Sequence, residues 1–320
     1  MNVLSLFDGM SCGRLALEKN GFKIDKYYAS EIKPHAIKVT QKNFPDTIQI
    51  GDVTKVSYKD GVLYTEKGNY EVGEFDILIG GSPCQNFSRA CIKEKRLGLE
   101  GEKSRLFYEY LRILEEVKPK YFLLENVKMD KESERQLNEY LGVKPINVNS
   151  KDYVPQLRNR LYWTNITDGL DKRQRKLNLQ DILTDGYTNK EVSSCLLEGH
   201  SRPTVDKLRL TRRHLEKNFI PIVYKSKEHY EKLIEHYNEN YKGLSAKEVD
   251  SIRDDIDNSI YQDVRILDKR EMELLQGVPV GYTDGVTRDQ AASLLGDGWT
   301  VDVIAHILSF IKENEKWKLN

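Results

Sequence analysis

A chain of 320 residues, 39% hydrophobic and 31% charged, with its 21 glycines and 9 prolines scattered, excludes wholesale disorder, collagen and a disulfide-stapled miniprotein. Fifty basic residues balance fifty acidic ones, so the net charge of zero favours neither an anionic nor a cationic partner. No stretch approaches the roughly 20 apolar residues of a membrane span, and no basic region precedes the first apolar residues, so the expected setting is cytoplasmic with no membrane.

Val3 to Phe7 reads as a buried strand, Arg14 to Asn20 as a helix, Tyr27 to Ser30 as a strand, and Pro34 to Asn43 as a helix with proline in its first turn. Ile48 to Ile50 is a short strand, and Val62 to Tyr70 is a hairpin insertion turning at Lys67-Gly68-Asn69. Phe75 to Ile79 is the next strand, Ser104 to Val117 a helix and Tyr121 to Leu124 another strand. This alternation predicts a parallel α/β sheet, which binds ligands at the carboxyl ends of its strands.

After Trp163 the chain turns polar and basic, and a helical period returns only at Lys227 to Asn238. Lys269 to Leu275, Arg288 to Leu295 and Thr300 to Ile311 read as helices. The last carries an apolar stripe, Val301, Ile304, Ala305, Leu308 and Ile311, that needs the first domain as its partner surface. The expected organisation is a first domain over 1–165, a small second domain over 166–265, and a segment 266–320 that returns to the first. Seven basic residues against three acidic ones between Lys151 and Lys176, and six against two between Arg202 and Lys217, precede thirteen acidic against seven basic from Glu228 to Glu273. That asymmetry gives either one face suited to a phosphate backbone or ordinary solvated helix faces.

The first strand leads into Phe7-Asp8-Gly9-Met10-Ser11-Cys12-Gly13, a turn whose glycines let the backbone approach a ligand and whose helix start offers free N–H groups. The GxGxxG fingerprint is absent, which disfavours a dinucleotide and a nicotinamide oxidoreductase. Glu31 and Asp52 close the second and third strands. The first suits ribose hydroxyls and the second an adenine amino group, while either could simply cap the segment that follows.

Four cysteines (Cys12, Cys84, Cys91, Cys195) form no CxxC pair, so neither a disulfide framework nor a metal site is expected. The fourth strand ends Gly80-Gly81-Ser82-Pro83-Cys84-Gln85, a rigid turn that holds a lone thiol as a nucleophile. Leu124-Glu125-Asn126-Val127 places a carboxylate at the neighbouring strand end. Cysteine plus acid without a histidine is wrong for a protease triad and right for adding a thiolate to an electron-poor ring while an acid engages a ring nitrogen. Gln156-Leu157-Arg158-Asn159-Arg160 puts two arginines on one face of a strand, where they could hold a carboxylate, a base oxygen or a phosphate, or make surface salt bridges.

In order and spacing these segments resemble the cytosine-C5 DNA methyltransferase family, and its vertebrate de novo branch more than a typical bacterial restriction-linked enzyme. The resemblance covers about 1–165 and 264–312. It includes Arg265 to Pro279, similar to the motif that packs the recognition domain, and Gly296-Asp297-Gly298-Trp299-Thr300-Val301, similar to the last cofactor motif, which usually reads Gly-Asn-Ser at its start. It implies a Rossmann-like S-adenosylmethionine-dependent methyltransferase sheet with a small target-recognition domain, and a prokaryotic or phage origin. S-adenosyl-L-methionine, leaving as S-adenosyl-L-homocysteine, would be bound by Phe7, Asp8, Gly9, Ser11, Cys12, Gly13, Glu31, Asp52, Val53, Pro83, Gly296 and Trp299.

The resemblance further implies a cytosine flipped out of double-stranded DNA and attacked at C6 by Cys84. Glu125, holding or sharing a proton, would contact N3 and the exocyclic amine, Arg158 would assist the thiolate, and Arg160 would reach O2. Gln85, Ser88, Arg89, Asn126, Gln156, Arg202 and Arg212 are the candidate DNA contacts, and Ser88 to Gly101 resembles a closing loop. The alternatives are a tRNA cytosine-C5 methyltransferase and a silent DNA-binding paralogue. The oligomeric state, monomer or homodimer, and the recognition sequence are left open.

Overall fold

The structure, a computed structural model, describes residues 1–83, 106–197, 206–217 and 221–316, with side chains through 311. Strand β1 (Asn2–Leu6) lies inside a seven-stranded sheet because Val3 faces one apolar layer while Leu4 and Leu6 face the other, all fully buried. Next come α1 (Cys12–Lys19), β2 (Lys26–Ser30), α2 (Pro34–Asn43) and β3 (Ile48–Gln49), the βαβα start expected from the sequence. The hairpin insertion is a separate antiparallel sheet of three strands, β4 (Ser57–Lys59), β5 (Val62–Thr65) and β6 (Gly68–Glu71). Its second turn falls at Glu66-Lys67, with Thr65 opposite Gly68.

The main sheet is completed by β7 (Ile77–Gly80), β8 (Tyr121–Val127), β9 (Ile146–Asn149) and β10 (Asn159–Thr164), with α3 (Leu106–Val117) and α4 (Lys131–Leu141) between them. Its order is β3-β2-β1-β7-β8-β10-β9. The five strands β3, β2, β1, β7 and β8 are parallel, as predicted, but β10 runs antiparallel to both β8 and β9. The sheet is therefore mixed. The reason is the short link between β9 and β10, which folds through a turn at Ser150–Asp152 and can join only antiparallel neighbours, since a parallel pair needs a crossover of a dozen or more residues.

Helix α4 had no apolar signal strong enough to predict it: of its eleven residues only Ser133, Leu137 and Leu141 are buried. What defines it locally is the Asp130 carboxylate accepting from Ser133 N–H at one end and Gly142 at φ 68° at the other.

Beyond β10 follow α5 (Leu179–Ile182), α6 (Lys207–Lys217), β11 (Ile222–Val223), α7 (Lys227–Asn240), α8 (Ala246–Ile252) and β12 (Arg265–Ile266). A separate apolar cluster runs from Leu208 to Val264 and includes Tyr224, Leu233, Tyr237, Tyr241 and Tyr261. Leu179, Ile182 and Leu196, which the change in composition would place with it, pack in the first core instead. The pairing of β11 with β12 joins the start and end of this smaller unit.

The chain returns through α9 (Lys269–Gln276), α10 (Arg288–Asp297) and α11 (Val301–Lys316). The predicted stripe on α11 is buried, and Val303 and Ile307 are buried with it, so the helix is covered on more than one face. It packs against α1, where the Asn20 amide donates to Ala305 O at 2.7 Å and Lys19 pairs with Asp302. Among the described residues no single helix is long and apolar enough to cross a membrane.

Candidate active site at the carboxyl edge of the sheet

The turn after β1 is wound through three residues of positive φ, Phe7 (56°), Gly9 (61°) and Ser11 (60°), a conformation two non-glycine residues adopt only under constraint. The constraint is Asp8. Its carboxylate accepts from the hydroxyls of Ser5 (2.6 Å), Tyr27 (2.7 Å) and Ser11, and its N–H donates to Ser30 O at 3.0 Å. Burial raises the Asp8 carboxyl above its ordinary range against the opposing pull of those hydroxyls, and burial beside Asp8 also raises the Tyr27 phenol. Asp8 and Ser11 are thus the frame of the turn rather than its lining. The side chain of Ser11 is fully buried, bonding Asp8 and lying 3.0 Å from Thr40 Oγ1.

The Cys12 side chain is buried under Gly298, and desolvation pushes its thiol up to about 12. Gly13 packs closely within the fold, because a Cβ there would stand 2.4 Å from Ile79 Cδ1 and 3.3 Å from the Trp299 ring. Gly9 alone has open space, with nothing within 4 Å of a Cβ position.

Glu31 and Asp52 stand after β2 and β3, and each accepts backbone N–H groups of neighbouring turns. Glu31 Oε2 accepts Gly9 N–H at 2.8 Å, linking the two turns, and Oε1 accepts Ile32 and Lys33 N–H. Asp52 Oδ1 accepts from Thr54 N–H and hydroxyl, starting a short 3-10 turn at Val53. Sequence reasoning missed two neighbours. Ile32, 69% exposed, is an apolar residue directly after a strand-closing acid, a signal that was readable. Glu66 comes from the hairpin insertion, and its carboxylate accepts Asp52 N–H at 3.0 Å across Gly51. No local pattern announces that contact.

One strand beyond the turn, β7 ends at Gly80 and leads to Pro83. Cys84, Gln85, Ser88, Arg89 and Arg202 lie outside the described residues, as does the candidate closing loop. What precedes Cys84 is fixed from β8: the Asn126 amide donates to Ser82 Oγ at 3.1 Å, and its carbonyl oxygen accepts Val127 N–H. Asn126 is buried and its amide is committed to this turn.

Glu125, 8% exposed, lies within β8 rather than after it. Arg160 Nε donates to its Oε1 at 2.9 Å from the adjacent β10, and Trp299 Nε1 donates to Oε2 at 3.1 Å. Both oxygens therefore act as acceptors. The two arginines of the Gln-x-Arg-x-Arg segment do different work. Arg158 precedes β10 and donates to Gly298 O (2.8 Å), Gly296 O (3.0 Å) and Leu196 O (3.3 Å), away from Glu125. Gln156, fully buried, donates to Leu275 O and Gln276 Oε1 and accepts Leu196 N–H, tying the segment before β10 to α9.

In the smaller unit the Arg212 guanidinium donates to Glu216, Leu244 O and Ser245 O. Arg265 makes the expected packing contact between units, bonding Asp185 and the fully buried Glu271. Among the described residues no group of His, Cys, Asp and Glu is placed to hold a metal.

A mixed sheet with parallel strands at β3-β2-β1-β7-β8 and one reversed strand, presenting acids and glycine turns at its carboxyl edge, is the S-adenosylmethionine-dependent methyltransferase fold. A model of the C-5 cytosine-specific DNA methylase family matches residues 1–313, and the chain belongs to that family. It is 36% identical over 188 residues to the type II methyltransferase M.NlaIV of Neisseria lactamica, an overlap covering 51% of this chain and 41% of that protein. It is 33% identical over 225 residues to the type II methyltransferase M1.ScrFI of Lactococcus lactis subsp. cremoris, covering 62% and 53%. The chain thus spans about half the length of the curated relatives it matches. Among solved structures, the methyltransferase EhMeth of Entamoeba histolytica superposes with a TM-score of 0.66 at 16% identity over 98% of both chains. A mutant DNMT2 of Spodoptera frugiperda gives 0.64 at 18% identity over 97% and 99%. At such identity the likeness concerns the fold alone.

Proposed function

We propose that the protein transfers a methyl group from S-adenosylmethionine to C5 of cytosine in duplex DNA. The observation that carries the reading is the Glu125–Arg160 pair toward the carboxyl end of β8, tied through Asn126 to Ser82, two residues before Cys84 in sequence. A carboxylate fixed by a guanidinium is suited to engaging the N3 and amino edge of a base, and the role proposed for Cys84 is addition of its thiolate to C6. Extrusion of the cytosine is required because its C6 face is closed to a thiol inside the stack.

The cofactor fits the residues present. Glu31 and Asp52 offer carboxylates at two strand ends, Ile32 offers an exposed apolar surface between them, and the space over Gly9 is open. When bound there, the cofactor supplies the methyl group as a sulfonium. Arg158 and Gln276 hold the Gly296–Gly298 turn through its carbonyls, so these residues position the cofactor side of the site and do not touch the base. The smaller unit over 206–266 is assigned to DNA recognition.

Transfer of labelled methyl to unmethylated DNA and to tRNA, by wild type and Cys84→Ser, tests the reading. DNA labelling that vanishes in Cys84→Ser supports it. Labelling of tRNA alone makes the protein an RNA enzyme, and cofactor binding with neither labelled makes it a silent paralogue.

A further inference from the structure

The indole of Trp299 bonds the Glu125 carboxylate, a contact distinct from the cofactor role expected of this residue. Trp299 stands two residues before α11, directly after the turn held by Arg158, and its ring is wedged between two glycines. A Cβ on Gly13 would meet the ring at 3.3 Å, and a Cβ on Gly81 would lie 2.7 Å from Nε1 and 3.2 Å from Glu125 Oε2. Gly13 belongs to the turn on the cofactor side, and Gly81 begins the turn toward Cys84. Through this gap Nε1–H reaches the Glu125 carboxylate at 3.1 Å, while the Trp299 backbone N–H points at the Cys12 thiol under the first turn.

We infer that Trp299 is a positioning residue for Glu125, and that its indole makes the placement of the base-binding carboxylate depend on occupancy of the cofactor side. This rests on the reading of Glu125 as the base-binding acid. The argument is geometric. Among the described residues, Arg160 and Trp299 each donate to one oxygen of Glu125. Arg160 approaches from β10, within the same sheet, and holds Oε1 whatever the cofactor side contains. Trp299 holds Oε2 from a segment outside the sheet, anchored at the Gly296–Gly298 turn and packed on Gly13, so a displacement of either turn is transmitted to Oε2. Glycine at 81 and 13 is what admits the ring, and a smaller residue at 299 would leave Oε2 without this partner.

The test uses the intact chain labelled with nitrogen-15 tryptophan. The sequence has three tryptophans, so three indole resonances are expected, and Trp299→Phe assigns one by its loss. Trp163 is the internal control: it stands opposite Leu124 on the adjacent strand, but its indole packs in the apolar layer with Leu124 and donates to Asn138 Oδ1 at 2.7 Å rather than to Glu125. The Trp299 resonance should move in Glu125→Gln and on addition of S-adenosylhomocysteine, while that of Trp163 stays in place. Trp299→Phe, which keeps a ring between the glycines, should lower kcat by about 10-fold or more with the cofactor KM within about two-fold.

A Trp299 resonance that ignores saturating S-adenosylhomocysteine, or ignores Glu125→Gln, overturns the proposal. Calorimetric titration of the same ligand separates the two readings: binding without a shift sinks the coupling alone, and no binding sinks the proposed function with it. Equal losses in kcat and in cofactor affinity in Trp299→Phe would make the residue a cofactor contact only.

Discussion

Replacing Arg158 with alanine separates a catalytic arginine from an architectural one. The resemblance places Arg158 beside the thiolate, whereas the structure buries it at 3% exposure and directs its guanidinium at three main-chain carbonyls, of Leu196, Gly296 and Gly298. Hydrogen bonds to a charged group contribute about 1.5–3 kcal/mol each, and truncating one partner of a buried polar cluster costs about 3–5 kcal/mol in all. Unfolding entropy of about 2.1 cal/mol/K per residue amounts to about 0.7 kcal/mol/K for a chain of this length, so the melting temperature should fall by about 4–7 °C. Because the freed carbonyls belong to the turn of the last cofactor motif, the Kd for S-adenosylhomocysteine should rise by about 10-fold or more. Scanning calorimetry and isothermal titration read the two quantities. A variant that melts within about 1 °C of the parent and binds the ligand as tightly, yet has lost turnover, would refute the argument and return Arg158 to the chemistry.

Gly13→Ala brings a methyl group to 2.4 Å from Ile79 Cδ1, on a fully buried side chain with little room to move, and should cost about 1–3 kcal/mol in the free energy of urea unfolding. Arg212→Ala should lower stability by about 1–2 kcal/mol while the slope of log affinity for DNA against log salt stays unchanged; a slope reduced by about one unit would make Arg212 a phosphate contact after all. Alkaline pH should destabilise the fold. Burial raises the phenols of Tyr27, Tyr110 and Tyr282 and the thiol of Cys12, the last to about 12. A group raised in the folded state contributes stability that is complete below its unfolded value, near 9.0 for the thiol and 10.0 for the phenols, and that is lost as pH climbs toward the folded value. Urea unfolding should therefore show a free energy falling by up to about 1.4 kcal/mol per pH unit per group above those values, with one group's share missing in Cys12→Ala. A profile flat to pH 11 would contradict the burial argument.

The first half of the fold was legible because its strands are buried on both faces and appear as short apolar runs, Val3 to Leu6 and Ile77 to Ile79, punctuated by glycine turns. The elements that escaped lack such a signal. Helix α4 buries three of eleven residues, α6 carries five arginines and lysines among its eleven residues, and the direction of β10 is set by the length of a connection rather than by any side chain. The limit of the second unit was hidden for a related reason. The polar stretch after Trp163 is exposed, yet the few apolar residues within it, Leu179, Ile182 and Leu196, pack back on the first core.

At the site, neighbouring residues of one sequence segment make their contacts in different directions. Spacing of two between Arg158 and Arg160 suggests one shared face and one shared ligand, but β10 begins only at Asn159, and the bend before it sends Arg158 to the Gly296 turn while Arg160 meets Glu125. Gln156 and Asn126 follow the same rule, each a polar residue beside the chemistry whose amide is fully used in holding a neighbouring turn. A motif read in one dimension combines residues that touch the substrate with residues that hold those in place. They separate only when hydrogen-bond partners from distant segments are known: Ser82 for Asn126, Gln276 for Gln156, Gly298 for Arg158, and Trp299 for Glu125. Three of these four partners come from the last quarter of the chain, so the C-terminal segment supplies the support on which the geometry of the catalytic edge depends.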